Sequence, residues 1–172
     1  CGESGLCLRM FTPIAALLSG DTELGAEGSL RRRPVTTIEA CLESLGGRAT
    51  TQAGLPPVLV SGPLQGGRAE LDASTSSQFL TGLLIALPCA AGSSELAVSN
   101  IVSSGYVDLS LDTMAAFGVG AGASADCSRF SIPGGQAYKA RDFEVEGDWS
   151  GAAFLLVAAA IARFGRIDVL VN

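Results

Sequence analysis

Three stretches of this chain start on small or polar residues and then turn apolar on nearly every side. They are SGLCLRMFTPIAALL (Ser4–Leu18), SSQFLTGLLIALPCA (Ser76–Ala90) and DWSGAAFLLVAAAIA (Asp148–Ala162). Their starts lie about 70 residues apart, long enough for a repeated unit of several elements. About 30 residues after each of the first two comes an amphipathic helix, PVTTIEACLESLGG (Pro34–Gly47) and YVDLSLDTMAAFGV (Tyr106–Val119). Both close on glycine, Gly46 and Gly118, the residue favoured just past a helix end. Pro34 suits a first helical turn, where its missing N–H costs nothing. Short alternating or β-branched runs fill the gaps at Thr22–Glu27, Arg48–Ala53, Val58–Ser61, Arg68–Asp72, Glu95–Ser99, Ala121–Asp126, Arg129–Ile132, Asp142–Glu146 and Arg166–Val171.

Read in order, one unit is strand, buried helix, strand, amphipathic helix, strand, strand. Residues 1–62 then hold a unit lacking its first strand, 63–133 a complete βαβαββ unit, and 134–172 the opening of a further one. The chain is therefore expected to be an excerpt of a longer protein. A helix that is apolar all round must be buried all round, and none of the three reaches the roughly 20 apolar residues of a membrane span. The expected fold is α/β, with the three apolar helices bundled inside and sheets outside. A three-layer α/β domain is the competing arrangement, but its outer helices should each show a polar face.

Composition sharpens this picture. The 172 residues are 48% hydrophobic and only 16% charged, in keeping with extensive burial. The net charge of −6 disfavours nucleic acid or an anionic membrane as partner. Basic residues can still serve a small anion, and Arg31, Arg32 and Arg33 form such a cluster. The five cysteines show no metal-ligand spacing, and Cys7, Cys41 and Cys89 read as small core residues. With no histidine, a His-based triad is excluded and a zinc site of the usual kind is disfavoured. A reducing cytoplasm is the expected setting.

The candidate chemistry sits at the start of the second apolar helix. Ser76 and Ser77 can accept from the unpaired N–H groups there, as helix caps. The same N–H groups and the helix dipole also favour a phosphate. Arg9 is charged within an apolar helix and needs a partner, so it is read as half of an internal ion pair before a ligand contact. Arg31 and Arg32 are read as solvated, and Asp148 equally as an N-cap or a functional acid.

Several blocks then carry a family likeness: CGESGLCLRM, LRRRPVTTIEACLESLGG, SGPLQGGRAELDASTSSQFLTGLLIALPCA, NIVSSGYVDLSLDTMAAFGV and GGQAYKARDFEVEGDWSGAAFLL. Together they resemble the 5-enolpyruvylshikimate-3-phosphate synthases, across essentially the whole chain. The resemblance implies an inside-out α/β prism, two lobes of three units each, of which this chain would supply much of the first lobe and the entry to the second. It implies transfer of the enolpyruvyl group of phosphoenolpyruvate to the 5-hydroxyl of shikimate 3-phosphate, with release of phosphate and without a cofactor.

By the same resemblance Ser76, Ser77 and Gln78 would hold shikimate 3-phosphate, Ser103 would bind its phosphate and Tyr106 would close over it. Gly5, Arg33 and Gln78 would meet phosphoenolpyruvate. From the residues alone, Ser103 is a strand-end serine and Tyr106 a partly buried tyrosine. The acid and base would come from the other lobe, which makes that lobe the expected protein partner and the isolated chain inactive; the one lysine, Lys139, is in a loop-like segment. Glu3, Ser4, Leu6 and Met10 stand where the family has Asn, Ala, Thr and Pro. Glu3 would repel an anion unless an arginine screens it, and Leu6 and Met10 would reshape the wall beside Gly5. EGDWSG likewise places a Trp and a Gly where small residues and Ser are usual. A UDP-N-acetylglucosamine enolpyruvyl transferase relative, a non-catalytic domain of the same fold and an RNA 3′-phosphate cyclase-like relative are the alternatives.

Overall fold

A computed structural model describes residues 1–74, 76–101 and 104–166. Two compact units emerge, Cys1–Ala140 and Arg141–Asn172. The first opens on α1 (Gly5–Ala15), then β1 (Gly20–Leu24), a 3₁₀ turn (Gly28–Arg32), α2 (Thr37–Ser44), β2 (Arg48–Gln52) and β3 (Leu55–Gly62). It continues with β4 (Gly67–Asp72), α3 (Gln78–Ala86), β5 (Ser94–Ser99), α4 (Ser104–Ala116), β6 (Gly122–Ala123) and β7 (Arg129–Ile132). The fold is α/β.

The two halves of this unit are built alike. One sheet has the order β1-β3-β2, and the other, β4-β5-β7-β6, contains the same arrangement in its last three strands. Each corresponding pair is antiparallel, whereas β4 runs parallel to β5. Helices α2 and α4 also end alike. Past α2, Gly46 N–H donates to Glu43 and Gly47 N–H to Leu42. Past α4, Gly118 N–H donates to Ala115 and Val119 N–H to Met114. Both are Schellman closures, with Gly46 at φ +83° and Gly118 at φ +79°.

The strands are apolar on one face: Val58 and Val60 of β3, Leu71 of β4, Leu96 of β5 and Phe130 of β7 are buried. Helices α1 and α3 pack against each other at the centre, with Leu8, Phe79, Leu80, Leu83 and Leu84 fully enclosed. Each such side chain contributes about 1.5–3 kcal/mol relative to exposure. The helices cross at Gly82, where an added Cβ would stand 2.6 Å from the Met10 carbonyl oxygen.

Several expectations need correction. The third apolar helix, α5 (Trp149–Phe164), was expected in the buried bundle, yet Phe154 is 80% and Leu155 73% exposed. It belongs to the second unit, whose described residues include no strand or other helix against which it could bury. Asp142–Glu146 is irregular for the same reason, since a strand needs a neighbour to bond. Asp148 is the N-cap of α5, accepting from the Gly151 N–H at 3.0 Å. Most of the expected strand Arg166–Val171 lies outside the described residues.

Pro34 precedes α2 and does not open it. Val35 is buried and donates its N–H to the Gly54 carbonyl, so this segment is tied to the β2–β3 turn before the helix starts at Thr37. Strand β6 is shorter than its alternating pattern, because Asp126 draws in Ser124 and Ser128 to make a turn. Among the described residues no helix is long and apolar enough to cross a membrane.

Candidate functional site

Parallel strands β4 and β5 end side by side, and each feeds a loop toward a helix start. Asp72, the last residue of β4, ties these loops together. Its Oδ1 accepts from the Ser74 N–H at 2.9 Å and from the Asn100 side-chain amide at 3.1 Å. These bonds hold its carboxyl below the ordinary aspartate range, the Ser74 backbone bond contributing most.

The α3 start separates its two serines. Ser76 Oγ accepts from the Gln78 N–H at 3.1 Å and so acts locally as a cap. Ser77 is the N-cap by position, but its hydroxyl makes no capping bond. The expectation that both serines cap the helix therefore holds for Ser76 alone. Ser77, Thr81 and Ile85 follow one another at helical spacing along one wall of a cavity of about 750 Å³.

Ser76, Gln78 and Tyr106 also line this cavity, polar near the α3 start and apolar toward Leu109 and Phe117. Tyr106, in the first turn of α4, is 60% exposed rather than partly buried. Ser103 lies outside the described residues. Leu6 and Met10 are on the cavity wall.

Gly5 opens α1 behind Ser4, whose side chain accepts from the Cys7 N–H at 3.1 Å. A Cβ on Gly5 would stand 3.2 Å from a guanidinium nitrogen of Arg33 and 3.2 Å from one of Arg9. Two cations thus flank one glycine backbone. Arg33 follows the 3₁₀ turn in extended conformation, exposed to solvent. Arg31 and Arg32 are exposed as well, with Arg31 donating to the Ala26 carbonyl.

Among the described residues Arg9 has no ion-pair partner. It is 8% exposed, and its Nη1 donates to Gln78 Oε1 at 3.1 Å. Its Nε has no acceptor among the described residues. Burial, and then the positive charge of Arg33, pull its guanidinium below the usual arginine value. A carboxylate partner is replaced here by an amide oxygen from a helix 69 positions away, leaving the positive charge uncompensated.

Gly5, Arg33, Arg9 and Gln78 therefore form one linked group, and Gln78 joins it to Ser76, Ser77 and Tyr106 around the cavity. Chemically this suits an anion. It offers two guanidiniums, an amide, free hydroxyls and the N-termini of two buried helices. Thr81 and Tyr138 also line the cavity without having been singled out from the sequence. Thr81 was legible as one helical turn beyond Ser77. Tyr138 donates to the Ile85 carbonyl at 2.8 Å, and burial, followed by the nearby Cys89, pushes its hydroxyl up to about 12; no local pattern marked it.

Known proteins are similar to this chain. The family model described as EPSP synthase (3-phosphoshikimate 1-carboxyvinyltransferase) matches residues 1–172. The chain is 39% identical over 172 residues to a 3-phosphoshikimate 1-carboxyvinyltransferase of Methanoculleus marisnigri, covering 98% of itself and 40% of that protein. It is 40% identical to one of Halobacterium salinarum, covering 100% of itself and 41% of the relative. It thus spans about 40% of the length of the curated relatives it matches. The solved EPSP synthase of Acinetobacter baumannii superposes with a TM-score of 0.75 at 27% identity, over 93% of this chain and 35% of that one. A match along every residue and a shared backbone lead to one conclusion: the chain belongs to the EPSP synthase family.

Proposed function

We propose that this chain supplies the shikimate 3-phosphate pocket and one side of the phosphoenolpyruvate site of a 3-phosphoshikimate 1-carboxyvinyltransferase. In that reaction the 5-hydroxyl of shikimate 3-phosphate gives its proton to a base as its oxygen adds to C2 of phosphoenolpyruvate and C3 takes a proton from an acid. The tetrahedral adduct then loses a proton from C3 and expels phosphate, which leaves the enolpyruvyl ether. The part played by these residues is to bind and orient. Ser77 and Ser76 hold the shikimate phosphate at the α3 N-terminus, with Tyr106 across the cavity and Ser103 as a further phosphate ligand. Arg33 holds the carboxylate or phosphate of phosphoenolpyruvate against Gly5, where a side chain would intrude. Gln78 touches both substrates and sets their separation.

The observation that carries this reading is the convergence of residues far apart in sequence, Gly5, Arg33 and Gln78, beside a cavity lined by Ser76, Ser77 and Tyr106. The acid and base of the reaction are assigned to the remaining lobe, which is the proposed protein partner, and a cytoplasmic setting suits the five free cysteines. Calorimetric titration of the chain with shikimate 3-phosphate tests the binding half. Saturable binding lost in Gln78→Leu supports it, and no binding by the native chain overturns it. A steady-state assay tests the other half: the chain alone should give no turnover, and measurable turnover would overturn the division of labour.

A further inference from the structure

Gln78 can present its carboxamide in two ways, oxygen or nitrogen toward the cavity, and only one of them donates to an anion. Nothing on α3 itself decides between them, since the Gln78 backbone N–H is already taken by Ser76. The choice comes from α1. Arg9 is a donor only, it is buried, and its Nη1 sits 3.1 Å from Gln78 Oε1. An amide turned the other way would set N–H against N–H⁺ in an enclosed space. The oxygen is therefore claimed by Arg9, and the two N–H groups of Nε2 remain for a ligand.

We infer that Arg9 is the positioning residue of this site, locking the Gln78 amide with its donor edge toward the bound anions. The inference rests on the proposed function for the identity of those anions, and on geometry alone for the lock. Two features make the lock stiff. The side chain runs from the same helix that carries Gly5, and Gly82 lets α1 and α3 approach to backbone contact. Arg9 need not touch substrate to matter. Among the described residues its Nε is unpaired, and a buried positive charge there favours an anion nearby.

The test uses the chain labelled with ¹⁵N, in native, Arg9→Lys and Arg9→Met forms. The probes are inorganic phosphate and shikimate 3-phosphate. The two Gln78 side-chain amide protons should be well separated in the native spectrum and move on titration with either probe. In Arg9→Met, with the backbone spectrum of α1 and α3 preserved, they should collapse toward solvent-averaged positions, and shikimate 3-phosphate should bind at least tenfold more weakly. Arg9→Lys, which restores a single donor, should recover most of the separation and part of the affinity. A merely structural Arg9 would alter thermal stability and leave both the Gln78 signals and the affinity of the folded fraction unchanged, and that result overturns the inference. Should Arg9→Met fail to fold, Arg9→Lys decides alone: shifted Gln78 amide signals with weakened shikimate 3-phosphate binding at near-native stability support the lock, and unchanged Gln78 signals and affinity overturn it. A native chain that binds no shikimate 3-phosphate overturns the proposed function instead, and the Gln78 amide signals then still decide the lock.

Discussion

The carboxylate of Glu3 accepts from the backbone N–H of Ser29 at 2.9 Å and from the Ser29 hydroxyl at 3.2 Å. The acid that stands where the family has an asparagine is thus tied down by a serine and not screened by an arginine. It staples the approach to α1 onto the loop that leads to Arg33, alongside the Glu27 N–H bond to the Gly2 carbonyl at 2.7 Å. The Ser29 backbone bond, and then its hydroxyl, keep the Glu3 carboxyl below its ordinary value of 4.5.

Two outcomes are expected from that pair. Glu3→Gln keeps a hydrogen-bond acceptor and removes a charge. Phosphoenolpyruvate binding should tighten about threefold at low salt, the scale of one exposed charge a few ångströms away in water, and the gain should fade as salt is raised. Ser29→Ala should do the opposite, loosening the loop and weakening binding. Because the Glu3 value is depressed in the folded state, the staple holds above pH 4.5 and is lost as pH falls through the lower folded value. A carboxyl carbon titration of Glu3, native against Ser29→Ala, reads this directly: the Ser29→Ala midpoint should rise.

Gly5 carries the second prediction. Its Cβ would meet the far ends of two flexible side chains, so Gly5→Ala should cost little stability. The two guanidiniums must give way, however, and Arg33 would leave the position from which it reaches a ligand. Phosphoenolpyruvate affinity should fall by about an order of magnitude, the scale of one charge-assisted hydrogen bond, and shikimate 3-phosphate affinity should fall by less, through the displaced Arg9 and its bond to Gln78. Equal loss for both ligands would count against the assignment of Gly5 to one of them.

That asymmetry shows what a sequence can and cannot carry. Helices α1 and α3 and the twin closures at Gly46 and Gly118 follow from local period and residue type, so they were legible in the sequence. Arg9 was legible only as a problem: a charge in an apolar helix demands a partner, but pairing with Gln78 depends on how two distant helices cross. The Asp72 clamp was hidden for the same reason, because a strand-end acid is ordinary until its parallel neighbour brings Asn100 alongside. What covers α5 was not legible, because apolarity states a need for cover, while the cover itself must come from other elements.

Asp72 gives the third prediction. Its carboxylate joins the loops that lead to Ser76 and Tyr106, and Asn100 adopts φ +55° in making its bond. Asp72→Ala should leave the sheet paired, since the β4–β5 register is a backbone matter, yet weaken shikimate 3-phosphate binding several-fold. The group is depressed below its ordinary 3.8, so the clamp is complete above that pH and fails as pH falls through the lower folded value. Loop amide signals around Ser74 and Asn100 should therefore shift together in acid. Independent midpoints for the two loops would show that Asp72 does not couple them.

The α1–α3 crossing gives the last. A Cβ on Gly82 would stand 2.6 Å from the Met10 carbonyl oxygen and 3.0 Å from the Met10 Cα. Both are backbone atoms and cannot swing aside. Gly82→Ala gains about 1 kcal/mol of helix propensity, but forcing extra volume into a packed core costs about 1–3 kcal/mol. With the clash falling on backbone the cost should lie toward the upper end, and denaturant melts should show a net loss of up to about 2 kcal/mol. Gly105, in the first turn of α4, has nothing within 4 Å of its Cβ position, so Gly105→Ala should show the propensity gain alone. Parting α1 from α3 also stretches the Arg9–Gln78 bond, so Gly82→Ala should weaken shikimate 3-phosphate binding even in the fraction that stays folded. A Gly82→Ala protein as stable as the native one, with the Gln78 amide signals unmoved, would mean that the helices can separate at the crossing without disturbing the site.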